Sequence, residues 1–173
     1  MQEIIAETRP EVLVETGTNF GGSALFFASL FDLLGVGEVV SVDLRPLSKE
    51  LPAHPRIAYI GGRSSTDEGV LAEVSRRVEG KRTMVILDSD HSRPHVLREL
   101  ELYSPLVSPG FYLIVEDTAI DTYHGHSDGP AGAVREFLAK TDGFVVDSAR
   151  EKHSITFNPG GYLRRHAGPH NTA

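Results

Sequence analysis

The chain has 173 residues, enough for one domain with its own core and too few for two. Hydrophobic residues at 40% and charged residues at 24% exclude a disordered or fibrous chain, and 17 Lys and Arg against 24 Asp and Glu, a formal net charge of −7, repel a polyphosphate backbone and argue against nucleic acid as a partner. Cysteine is absent, which removes disulfides, thiolate nucleophiles, iron–sulfur clusters and Cys-ligated zinc, leaving Asp, Glu and the eight His as metal ligands.

The acidic N-terminus, Met1–Glu7, lacks the basic and long apolar regions of a secretory signal. The most apolar stretch, Ala24–Val36, is too short to span a bilayer and carries Asp32, so a cytoplasmic protein with no membrane partner is expected. Short Val-, Ile- and Leu-rich runs predict strands at Val12–Glu15, Val39–Asp43, Arg56–Ile60, Thr83–Asp88, Phe111–Glu116, Gly143–Asp147 and Ser154–Asn158. Helical spacing fills about Gly22–Leu34, Ser65–Glu79, Pro94–Leu106 and Ala131–Lys140. This alternation predicts an α/β fold with a doubly wound, mostly parallel sheet. Strands six and seven are separated only by Ser148–His153, too little for a parallel crossover, and are therefore expected to be antiparallel. The segment Thr118–Pro130, with Tyr123, His124, His126 and Asp128, is long for a connection and is expected to be functional beside the end of the fifth strand. Residues 1–173 are read as a single domain, with 166–173 as its tail.

The first strand runs into Glu15-Thr16-Gly17-Thr18-Asn19-Phe20-Gly21-Gly22-Ser23 and then an apolar helix, the place where such sheets bind nucleotides. A dinucleotide fingerprint wants Gly where Asn19 stands, and a pyrophosphate would meet the Glu15 carboxylate badly. An acid at the strand end with glycines at 17, 21 and 22 suits instead a ligand that carries a cation and an amino acid moiety, such as S-adenosylmethionine. Glu15, Gly17, Asn19, Gly22, Ser23 and Asp88 are expected to line its seat. Asp43, ending the second strand about twenty residues beyond the glycines, is placed to accept the hydroxyls of a ribose. Ser64, after the third strand, stands where adenine is held.

Asp88-Ser89-Asp90-His91 closes the fourth strand and Glu116-Asp117-Thr118 the fifth. Carboxylates gathered at one sheet edge repel one another, and a hard divalent cation relieves this. Mg²⁺ prefers oxygen ligands, which Asp88, Glu116 and Asp117 supply, and His91 is then placed as general base. Asp90 or Ser92 is expected to cap the following helix. Among the other histidines, His54, His166 and His170 read as solvated loop residues and His95 as lying on the outer side of its helix. His153 is read either as facing the site or as pairing across strands. His124, His126 and Asp128 have spacing for a softer metal such as Fe(II), but read better as contacts to substrate or water.

The motifs V-E-T-G-T-N-F-G-G-S, L-D-S-D-H-S, L-I-V-E-D-T and T-F-N-P-G-G-Y-L-R-R resemble the cephalosporin hydroxylase family, from about Val12 to Arg165. Its members are similar to class I S-adenosylmethionine-dependent O-methyltransferases. The resemblance implies a Rossmann-like sheet of order 3-2-1-4-5-7-6. It also implies Mg²⁺ held by an acid after strand four and an acidic or amide pair after strand five, positions filled here by Asp88, Glu116 and Asp117. In related macrolide-sugar enzymes a histidine three residues after the first ligand is the proposed base, and His91 matches it; the catechol enzymes place lysine there. Family members carry a helical segment before the first strand, whereas only Met1–Pro10 precede it here, so no separate lid is expected.

The reading is thus Mg²⁺-dependent methyl transfer from S-adenosylmethionine to a hydroxyl of a small molecule, a sugar or a secondary metabolite. The alternatives are an Fe(II)-type hydroxylase built on His124, His126, Asp128 or the acid cluster, and a non-catalytic cofactor-binding partner protein of the same fold. A nicotinamide dehydrogenase ranks last because Asn19 breaks the fingerprint. A homo-oligomer in which a second copy covers the cleft is compatible with the sequence.

Overall fold

Along β1 (Val12–Thr16) every residue is buried, as expected for a parallel strand covered on both faces. The alternation of side chains splits them between two cores: Val12 and Val14 point into one, Leu13 into the other. The computed structural model describes residues 1–123, 128–152 and 155–168. Chain order continues with α2 (Gly22–Leu34), β2 (Glu38–Asp43), β3 (Ile57–Gly61), α3 (Glu68–Val78), β4 (Thr83–Leu87), α4 (Arg93–Tyr103), β5 (Tyr112–Val115), α5 (Ile120–Tyr123), α6 (Pro130–Lys140), β6 (Phe144–Val146) and β7 (Tyr162–Arg165).

The strands form one seven-stranded sheet of order β3-β2-β1-β4-β5-β7-β6. The first five run parallel, while β7 is antiparallel to both β5 and β6. The expected order and reversal are both present. The larger core joins Val12, Val40, Val85 and Leu113 of the sheet to Val70 and Val74 of α3, Val96 and Leu100 of α4, and Phe137 of α6. The opposite core joins Leu13, Val39, Met84 and Ile114 to Phe27 and Phe31 of α2.

That second core also takes Ile4 and Ile5 from a helix the sequence reading did not foresee, α1 (Gln2–Thr8). Seven residues are too few to be helical alone. Tertiary contacts hold it: the two isoleucines are buried, Arg150 pairs with Glu7, and Lys152 pairs with Glu3. Arg9 ends it in the left-handed region at φ 50°.

The last strand departs from expectation. Ser154–Asn158 was predicted as a strand, yet Ser154 lies outside the described residues and 155–158 are not strand. Ile155 and Phe157 are 82% and 73% exposed, and strand-forming residues with nothing to pack against make no strand. The strand falls at Tyr162–Arg165 instead, where Leu163 is fully buried and the Arg165 guanidinium meets the carbonyls of Pro105 and Val107. The third predicted helix ends early as well, because Pro105 turns Ser104–Leu106 into a 3₁₀ turn. Within Thr118–Pro130 the short α5 forms; Tyr123 ends it, and its side chain, His124 and His126 lie outside the described residues, as do His153 and His170.

Candidate active site

The parallel strands end together at one edge, and the cleft opens there between the ends of β1, β2 and β4. It encloses about 620 Å³, a size that suits a nucleoside-bearing ligand, and Gly17, Asn19, Asp43, Ser64, Asp88 and His91 all line it. Gly17 makes the turn after β1 possible. Its φ is +93°, and a Cβ there would fall 1.9 Å from the Asp88 carbonyl oxygen. The β1 and β4 ends can lie this close only because residue 17 has no side chain.

Asn19 takes φ 47°, a left-handed conformation that asparagine tolerates better than most residues. Its N–H donates to Asp43 Oδ2 at 2.8 Å, the Arg45 N–H donates to Asp43 Oδ1 at 2.8 Å, and the Arg45 guanidinium donates to Asn19 Oδ1 at 3.0 Å. Burial alone would raise the Asp43 pKa, but these donors outweigh it and hold the carboxyl below its ordinary value. Asp43 therefore presents an ionised, oriented carboxylate to the cleft.

Glu15 sits beneath the turn with 2% of its surface exposed. Ser41 Oγ donates to its Oε1 at 2.7 Å and is itself hydrogen-bonded to Thr18 Oγ1 at 2.6 Å. Burial pushes its pKa from 4.5 up to about 7; the hydroxyls of Ser41 and Ser23 work against this, and the Asp88 carboxylate adds to it. A cation reaching Glu15 would relieve this cost. Ser23 and Gly22 begin α2, and a Cβ at Gly22 would meet nothing within 4 Å. Ser64 Oγ is hydrogen-bonded to Thr66 Oγ1 at 2.9 Å at the opposite wall.

Beyond β4 and β5 the acids converge. Asp88, His91 and Asp117 each place one donor atom within 4.8 Å of the others. His91 Nε2 lies 3.4 Å from Asp88 Oδ1 and 3.4 Å from Asp117 Oδ2, shut off from solvent and aligned for a hydrogen bond with neither. The two carboxylates, Asp88 foremost, raise the His91 pKa above its ordinary value while burial opposes them. The imidazole thus lies between two acids whose oxygens a divalent cation could also bridge. Asp117 reaches the corner from a left-handed backbone at φ 57°. Glu116 stands beside it with Oε2 accepting from Asn158 Nδ2 at 2.6 Å; burial raises its pKa, the Asn158 hydrogen bond opposes, and Asp88 and Asp117 add to the rise. Of the three acids expected to hold a metal, Asp88 and Asp117 converge, together with His91, while Glu116 lies outside that group and is bonded to Asn158; the carboxylate oxygens are the ligands that suit Mg²⁺.

Some placements differ from expectation. His95 is not on the outer side of α4 but lines the cleft, with 23% of its side chain exposed. Its Nε2 lies 3.1 Å from Ser89 Oγ, 3.2 Å from Ser65 Oγ and 3.5 Å from Oε1 of Glu99, a fully buried acid one helical turn on. The Glu99 carboxylate raises the His95 pKa and partial burial opposes it. His54 is not a free loop residue either: its Nε2 lies 3.1 Å from Asp32 Oδ2 and its side chain is 16% exposed. His166 is exposed as expected. The N-cap of α4 is Ser92, whose side chain makes no capping bond; Asp90 accepts from the Ser92 N–H at 2.7 Å, and Asp128 pairs with Arg93.

The sheet order, the reversed β7 and the Gly-turn cleft at the strand ends define the Rossmann-like class I methyltransferase fold. The family model described as rhamnosyl O-methyltransferase/CmcI matches residues 1–166. A rhamnosyl O-methyltransferase of Mycobacterium leprae (strain TN) is 37% identical over 177 residues, covering 95% of this chain and 75% of the relative. One from Mycobacterium tuberculosis (strain ATCC 25618 / H37Rv) is 34% identical over 175 residues, covering 95% and 71%. Among solved structures, CmcI in an apo form superposes with a TM-score of 0.72 at 24% identity over 96% of this chain and 69% of that one. A CmcI structure described as Mg-SAM gives 0.67 at 22% identity over the same shares. The chain belongs to the rhamnosyl O-methyltransferase/CmcI family, the family its four motifs resemble.

Proposed function

We propose that this protein transfers a methyl group from S-adenosylmethionine to a hydroxyl of a sugar or another small metabolite, with Mg²⁺ at the acid corner. The observation that carries the reading is the convergence of Asp88, Asp117 and His91 at the mouth of the cleft that starts at Gly17. The naming of the mycobacterial relatives as rhamnosyl O-methyltransferases supports the reaction class and a sugar acceptor, and the Mg-SAM description of CmcI supports the cofactors.

Glu15, Gly17, Asn19, Gly22 and Ser23 seat the methionine part, with the Glu15 carboxylate answering its ammonium group. Asp43 takes the ribose hydroxyls on oxygens already oriented by Asn19 and Arg45, and Ser64 borders the adenine. Asp88, Glu116 and Asp117 would hold Mg²⁺, which would supply a charge that makes a nearby hydroxyl more acidic. His91 Nε2 takes the proton that the acceptor hydroxyl loses as its oxygen receives the methyl group.

Calorimetric titration tests this: S-adenosylhomocysteine into the protein with chelator and with Mg²⁺, then Mg²⁺ into the complex. Saturable binding of both is the expected result. Absence of cofactor binding would refute the methyltransferase reading, and cofactor binding without Mg²⁺ would refute the acid-corner mechanism alone.

A further inference from the structure

The Asn158-Pro159-Gly160-Gly161 turn ahead of β7 makes contacts with the acid corner that the reading above leaves unused. Asn158 is 5% exposed. Its Nδ2 donates to Glu116 Oε2 at 2.6 Å, and its Oδ1 accepts from the Asp117 N–H at 2.8 Å. One amide plane thereby fixes the side chain of one acid and the backbone of the next. The second contact matters because Asp117 is left-handed at φ 57°, a conformation unfavourable for a residue with a side chain and kept where neighbours hold it.

The amide orientation follows from the donors present. The Asp117 N–H can only donate, so it must face Oδ1, which leaves Nδ2 for Glu116. The turn that carries Asn158 is pinned on several sides. Thr118 Oγ1 donates to the Pro159 carbonyl at 2.8 Å, the Ala119 N–H to the Phe157 carbonyl at 2.9 Å, and the Gly160 N–H to Glu151 Oε1 at 2.8 Å. Gly161 lies so close to β5 that a Cβ would come within 2.3 Å of the Val115 carbonyl oxygen.

The geometry points to Asn158 as the positioning residue of the metal site, holding Glu116 and Asp117 in the arrangement that receives the cation; this rests on the Mg²⁺ reading above. Partners of metal ligands that are removed in this way lower metal affinity by about 10- to 100-fold. The cofactor seat, formed by the turns after β1, β2 and β3, should be untouched.

The test is calorimetric titration of Mg²⁺, and separately Mn²⁺, into the full chain saturated with S-adenosylhomocysteine, for the wild type, Asn158→Ala and Asn158→Leu. Leucine fills the space if alanine leaves a hole that loosens the turn. Circular dichroism reports folding, and S-adenosylhomocysteine affinity in chelator is measured for each. The expected result is a metal Kd about 10- to 100-fold weaker with cofactor Kd unchanged, and turnover recovered by excess Mg²⁺. A folded variant that binds metal as the wild type does would overturn the assignment, as would a parallel loss of metal and cofactor affinity. A wild type that takes up neither metal would overturn the Mg²⁺ reading itself, and the assignment with it.

Discussion

Replacing Glu15 by Gln probes the charge buried under the cofactor turn. The folded protein keeps the Glu15 proton up to about pH 7, whereas an unfolded chain releases it near 4.5. Below 4.5 both states are protonated and the side chain's contribution to stability is fully present. Between 4.5 and 7 the unfolded state binds fewer protons than the folded one, so stability falls as pH rises, and above 7 the loss is complete. At 1.36 kcal/mol per pH unit, the interval amounts to about 3 kcal/mol. Glutamine keeps the shape and the acceptor for Ser41 Oγ and never ionises. In urea titrations at several pH values the stability of Glu15→Gln relative to wild type should therefore climb by about 3 kcal/mol from pH 4.5 to 8, other titrations cancelling in the difference. A difference that stays flat across this range would refute the burial argument.

Cofactor binding should release a proton between pH 4.5 and 7, because an ammonium group against Glu15 favours its carboxylate; calorimetry at pH 6 in buffers of different ionisation enthalpy should show this in the wild type and not in Glu15→Gln. His91→Ala should lower turnover by about 10²- to 10⁴-fold with cofactor affinity retained, and turnover near wild type would remove His91 from the chemistry. Asp88→Ala should abolish Mg²⁺-dependent turnover in a protein whose circular dichroism is unchanged, so wild-type activity there would sink the metal assignment. Gly17→Ala, forced to φ +93° and against the Asp88 carbonyl, should destabilise the fold by more than about 1 kcal/mol and weaken cofactor binding, both read by thermal melts with and without S-adenosylhomocysteine.

What could be read from the sequence follows what patterns encode. Val12–Glu15, Val39–Asp43 and Thr83–Asp88 are apolar runs with polar ends, and each lies within a residue of its observed strand. The site residues of those strand ends came with them, since parallel strands deliver their C-terminal residues to one edge. The seventh strand was misplaced because Ile155, Thr156 and Phe157 have strand-like character, while the burial of Leu163 depends on a β5 surface far away in sequence. Glu99 was passed over because a charged residue on a helix reads as solvated, although Val96, Leu100 and Tyr103 flank it on the buried face. Its spacing of four from His95 was the available signal. Asn158 reads in the sequence as the last residue of the seventh strand, and nothing local announces that its amide reaches residues 116 and 117.

The position of β7 between β5 and β6 also sets an order of assembly. The parallel strands need only residues up to Val115 to form, but β6 can join the sheet only through β7, and Asn158 arrives with that final pair. The α1 helix waits longer in relative terms: its ionic partners Arg150 and Lys152 are synthesised more than 140 residues after it. During translation the nucleoside half of the cleft can therefore be shaped while the acid corner is still open. The acid corner is complete only once the Asn158 amide has reached Glu116 and Asp117.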